Sequence, residues 1–110
     1  IQSKIKKIII KKNMGWCNDP LSKNYNRLVK LPSHYSFEKL YRKENIYDII
    51  LVLNYNMHPI IRNKGSAIFI HISKRNYKKT EGCIALKKEH LLKIIKELKS
   101  STKIKIVDRI

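Results

Sequence analysis

Residues Gly65 to Leu86 read GSAIFIHISKRNYKKTEGCIAL. An apolar run carries one histidine, a lysine-rich polar connector follows, and then comes Thr-Glu-Gly-Cys. Period two over residues 66–73 puts Ala67, Phe69, His71 and Ser73 on one face of a strand, with Ser66, Ile68, Ile70 and Ile72 on the other. A histidine at this place has two readings: a core residue with its ring nitrogens satisfied by backbone, or a base held at the rim of a sheet. The Gly82-Cys83 pair beyond the connector favours the base. A thiol nucleophile needs a base, an approachable thiolate and donors for an oxyanion. Here His71 supplies the base and Cys83 the thiol, while Gly82 lets the backbone approach a substrate carbonyl. Within the connector Tyr77 can wall a cleft, Thr80 can hold the turn, and Lys78 and Lys79 would lower the thiol pKa if they came close.

Working outward, Lys87 or Lys88 to Lys99 is expected to be an amphipathic helix. Leu91, Leu92, Ile94, Ile95 and Leu98 form its apolar stripe, Glu89 and Lys93 a favourable pair, and His90 lies on its surface. Residues 103–107, KIKIV, alternate and are expected to close the fold as a last strand. Upstream, DIILVL at 48–53 reads as a strand buried on both faces. Residues 54–64 read as a long turn in which His58 is solvated. Ser36 is expected to cap a short helix over Phe37 to Tyr41, with His34 exposed before it. Residues 21–36 read as an ordered loop and residues 13–20 as a turn. In that turn Trp16 plugs the core and Cys17 is a small buried residue. Ile1 to Lys12 alternates weakly and reads as an edge strand guarded by lysines.

The whole chain, 110 residues, fits a single small domain of mainly β (α+β) class. Its opening at Ile1 suggests a processed product or a fragment. No run is apolar enough for a membrane span and no signal-peptide pattern is present. The formal charge of +17 attracts polyanions: nucleic acid, anionic lipid or an anionic wall polymer. The lysines are spread along the chain among many Ile and Asn residues, a pattern that favours solvated positions over a dedicated nucleic-acid face. Two cysteines, Cys17 and Cys83, make neither a disulfide framework nor a zinc spacing. No metal or cofactor is expected.

GSAIFIHI, then TEGCIAL and an amphipathic helix, resembles the L,D-transpeptidase catalytic domain (YkuD-like) family. GWCNDP, Tyr25-Asn26, Leu31-Pro32, LYR at 40–42 and IYDIILVLNYN are similar to one branch of it. The resemblance implies a β-sandwich catalytic fold with one C-terminal helix, lacking some N-terminal strands that family domains carry. It implies a cell-envelope enzyme acting on peptidoglycan stem peptides. Cys83 matches the nucleophile, His71 the base, and Gly82 and Cys83 the oxyanion-hole backbone. The carbonyl of Ile72 matches the group that orients the base. An amine would resolve the thioester in transpeptidation, and water in a carboxypeptidase or endopeptidase. Two positions depart from the pattern: Ile72 stands where many members have Gly, and Ala85 where many have Arg.

Overall fold

The computed structural model describes residues 5–73 and 83–105. Among the described residues there are six short strands and one helix: β1 Met14–Cys17, β2 Leu28–Lys30, β3 Phe37–Lys39, β4 Ile50–Val52, β5 Phe69–Ile72, β6 Ile84–Leu86 and α1 Lys88–Glu97, with a 3-10 turn at Asn45–Tyr47 before β4. They form two three-stranded sheets, β2-β1-β3 and β4-β5-β6. The first is antiparallel throughout; in the second, β4 runs antiparallel and β6 parallel to β5.

The first sheet corrects most of the N-terminal expectations. Residues 13–20 hold a central strand where a turn was expected, because β1 has a partner on each side. Gly15 fits there for lack of a Cβ, which would stand 3.0 Å from both Leu31 and Phe37 side chains. The expected loop at 21–36 contains edge strand β2. The expected helix at 37–41 is strand β3, since Phe37 pairs with Cys17 and Glu38 with Trp16. Ser36 is a tie and not a cap: its hydroxyl donates to Asn18 Oδ1 and its N–H to Asp19 Oδ2. Residues 5–12 form no strand. Ile8, Ile9 and Ile10 are consecutive, so they cannot all face one core, and Ile9 is 80% exposed.

In the second sheet, strand β4 is shorter than expected and lies at an edge, so its residues are half-covered or exposed rather than buried on both faces. Strand β5 is the centre, with all four residues buried. It starts at Phe69 because Ala67 adopts φ 58°, a left-handed conformation that breaks an extended run. Residues 103–105 are exposed and form no strand, and the remainder of KIKIV lies outside the described residues.

Alternation along β5 divides the core. On one face Phe69 joins Trp16, Leu40, Tyr47 and Ala67; Trp16 meets Phe69 edge-on at 5.3 Å, which locks the two sheets together. On the other face Ile70 and Ile72 pack on Leu91, Ile95 and Leu98, bounded by Ile84 and Leu86. Helix α1 therefore covers the face opposite Phe69 and His71. Burying Leu91 completely contributes about 2–3 kcal/mol relative to exposure.

Candidate active site

The parallel register pairs Ile70 with Ile84, His71 with Ala85 and Ile72 with Leu86. Paired residues in a ladder share a face, so His71, Ala85 and, two residues before it, Cys83 project to the side of Phe69. Cys83 stands one step diagonally from His71, within reach of a long side chain. Its packing against the cluster of Phe69, Tyr47 and Trp16 agrees with that face.

His71 is buried. Its Nδ1 lies 2.9 Å from the carbonyl oxygen of Ile72. A carbonyl only accepts, so Nδ1 carries the proton, and in the neutral ring Nε2 keeps its lone pair. Tyr47 closes a flank of the imidazole, its ring edge-on with centroids 5.5 Å apart. The hydroxyl of Tyr47 donates to Glu38 Oε1 at 3.0 Å, and Arg42 Nη2 donates to the same oxygen at 3.0 Å. The Arg42 guanidinium also lies over the Tyr47 ring, 4.6 Å from its centroid.

Cys83 is a half-buried thiol that takes part in no disulfide. Its S–H donates to the carbonyl of Ala67 at 3.1 Å. Burial pushes the thiol pKa up, a hydrogen bond from the Phe69 backbone offsets part of this, and the negative charge of Glu38 adds to the rise. Burial likewise raises Tyr47, reinforced by the charge and hydrogen bond of Glu38 and by the charge of Cys83, with Arg42 opposing. The described surroundings thus keep this sulfur protonated, the reverse of what the expected lysines would do. Lys78, Lys79, Tyr77, Thr80 and Gly82 lie outside the described residues, so of the expected site the structure describes His71, Ile72 and Cys83.

Two side chains bearing on the site, Glu38 and Asn26, have no role there in the sequence expectations. Glu38 was read as a helical residue. Read as a strand partner of Trp16, it turns to the core side, where it meets Tyr47. Asn26 lies in a stretch read as loop, yet it is 2% exposed and fully bonded. Its Oδ1 accepts from Trp16 Nε1 at 2.9 Å and from the Ala67 N–H at 3.3 Å, and its Nδ2 donates to the carbonyls of Tyr55 and Asn56. Asn26 itself has φ 57°, a conformation asparagine tolerates. For Ala67 the same conformation costs about 1–2 kcal/mol, offset by these contacts.

A surface concavity of about 420 Å³, lined by Leu28, Lys30, Ser33, His34 and Tyr35 among others, lies beside β2 and includes neither His71 nor Cys83. Among the described residues no cluster of His, Cys, Asp or Glu fits a metal ion. No described helix is long and apolar enough to cross a membrane.

The family described as the L,D-transpeptidase catalytic domain (YkuD) matches residues 2–106. The chain belongs to the L,D-transpeptidase catalytic domain family. Neither the comparison with curated proteins nor that with solved structures returned a match. Two small sheets and one helix, mainly β, are compatible with the fold of this L,D-transpeptidase family.

Proposed function

We propose that this chain is an L,D-transpeptidase-like cysteine acyltransferase acting on peptidoglycan stem peptides in the cell envelope, with residues 1–110 working as one catalytic domain. The observation that carries this reading is the shared face of His71 and Cys83 within a chain of this family. Cys83 Sγ attacks the carbonyl of the donor's third residue, and the thiol proton passes to Nε2 of His71. The carbon–nitrogen bond to the departing D-amino acid breaks, its nitrogen takes the proton from His71, and a thioester remains. An amine from a neighbouring stem then attacks the thioester, gives a proton to His71, and leaves an amide and the regenerated thiol. Hydrolysis differs only in that water takes the place of the amine.

In this mechanism the Ile72 carbonyl fixes the imidazole, the backbone of Gly82 and Cys83 faces the oxyanion, and Thr80 and Tyr77 contact the substrate. Because burial and Glu38 hold Cys83 as a thiol, general-base help from His71 replaces a preformed thiolate. The test is incubation with a stem tetrapeptide, followed by peptide mapping. A mass adduct on Cys83, absent from Cys83→Ala and lost on adding an amine acceptor, is expected. A folded protein that forms no adduct overturns the proposal.

A further inference from the structure

We infer that Asn26 is a positioning residue for the Cys83 thiol, acting through the peptide of Ala67. The inference rests on the reading of Cys83 as nucleophile, and its principal readout needs no substrate. The chain of contacts is short. Asn26 Oδ1 receives the Ala67 N–H at 3.3 Å, and the Ala67 carbonyl receives the S–H of Cys83 at 3.1 Å. Between those two bonds lies a residue whose φ of 58° an L side chain disfavours. Left alone, the Ala67 backbone would relax toward ordinary angles and turn its carbonyl away from the sulfur. Asn26 prevents this because it is itself anchored: buried, bonded to Trp16 of β1, and bonded to the carbonyls of Tyr55 and Asn56. One amide side chain thereby ties β1, the 55–57 segment and the residue that holds the thiol.

The chemical effect is to park the proton. An S–H···O bond stabilises the thiol, and a carbonyl oxygen beside the sulfur repels a thiolate. The sulfur therefore waits at a fixed place, protonated, on the face that bears His71. The charged or titratable described groups that bear on it are Glu38 from β3, Tyr47 from the 3-10 turn and His71 from β5. None of them is altered by changing Asn26.

The experiment is iodoacetamide alkylation against pH, with mass mapping of Cys83 and Cys17 in the wild type, Asn26→Ala and Trp16→Phe. Cys17 is buried beside the same network and reports local unfolding. Trp16→Phe removes one partner of Asn26 but leaves the Ala67 bond. In Asn26→Ala, Cys83 is expected to react about three- to tenfold faster near neutral pH, with its inflection shifted down by up to about one unit, while Cys17 stays protected. In Trp16→Phe, which keeps the Ala67 bond and the two carbonyl anchors of Asn26, the Cys83 profile should move much less than in Asn26→Ala. An unchanged Cys83 profile in Asn26→Ala, or Cys17 and Cys83 becoming reactive together, overturns the inference.

A second measurement needs no variant at Asn26, should Asn26→Ala not fold. The carbon-13 shift of the Ala67 carbonyl should follow the Cys83 titration in the wild type and stay flat in Cys83→Ala. A flat wild-type response overturns the inference as well. Failure of the stem-peptide adduct with these thiol readouts intact would sink the proposed reaction and leave the positioning role standing.

Discussion

Tyr47 stands edge-on to His71, the two ring planes inclined at 70°, while its hydroxyl is bonded to Glu38. The tyrosine therefore carries two separable jobs, an aromatic wall for the imidazole and a tether to a carboxylate. Tyr47→Phe keeps the wall and loses the tether. It is expected to cost about 1 kcal/mol in a urea titration, since the lost bond goes to a partly solvated carboxylate. Tyr47→Leu also loses the wall, so acylation by a stem peptide should fall further than in Tyr47→Phe. Equal acylation rates in the two variants would deny the ring any part in holding His71.

Glu38→Gln removes a negative charge near the sulfur while keeping an oxygen for Tyr47. Negative charge disfavours the thiolate, so its removal should move the alkylation inflection of Cys83 to lower pH. The result to look for is faster reaction at pH 8 in a variant whose circular dichroism matches the parent. A shift upward, or none, would mean that Glu38 is screened from the site.

The raised Tyr47 pKa fixes the sign of an alkaline stability loss. In the unfolded chain a tyrosine ionises near about 10, below the folded value. As pH rises past that point the unfolded state holds fewer protons than the native one, so stability declines. The contribution is fully present below the unfolded pKa. Urea midpoints measured from pH 8 to 11 should therefore fall more steeply for the wild type than for Tyr47→Phe.

Leu91→Ala tests the division of the core by β5. The side chain is fully buried under the helix, so its truncation should cost about 2–5 kcal/mol. Leu91 belongs to the face away from His71 and Cys83. At temperatures where the variant is folded, the pH profile of Cys83 alkylation should be that of the wild type. A displaced profile would show that the two faces are mechanically coupled.

The C-terminal half was more legible than the N-terminal half, and the reason is physical. Strand β5 and helix α1 carry their periodicity in consecutive residues, Phe69–Ile72 and Leu91 to Leu98, so the pattern predicts both elements; of the expected helix stripe Leu91, Ile95 and Leu98 are buried, while Ile94 is 40% exposed. The strands of the first sheet are three or four residues long and interrupted by Gly15 and by charged positions, too short to hold a period. Their strand character comes from pairing, which only the folded chain supplies: Phe37 opposite Cys17 turns a helix-like segment into β3. Misreading that segment also hid Glu38, whose orientation follows from being a strand residue. Asn26 stood out only as part of the Tyr25-Asn26 pair, and its structural role was hidden for another reason. A buried asparagine with every bond met looks, in sequence, like any loop asparagine. His71 and Cys83 stand out in the sequence by the apolar run and the Gly-Cys pair that carry them, and the register of β5 and β6 puts the two on one face.

A sulfur kept protonated by its surroundings has consequences for wear. Peroxide oxidation and thiol–disulfide exchange both consume thiolate, so a thiol raised above its ordinary range reacts slowly with either. The carboxylate and the burial that slow Cys83 as a nucleophile at rest also protect it from oxidants. Cys17, packed away at 2% exposure, is shielded by lack of access. The two cysteines thus stand apart, one sealed in the core and one half-covered beside a carboxylate, with no disulfide between them.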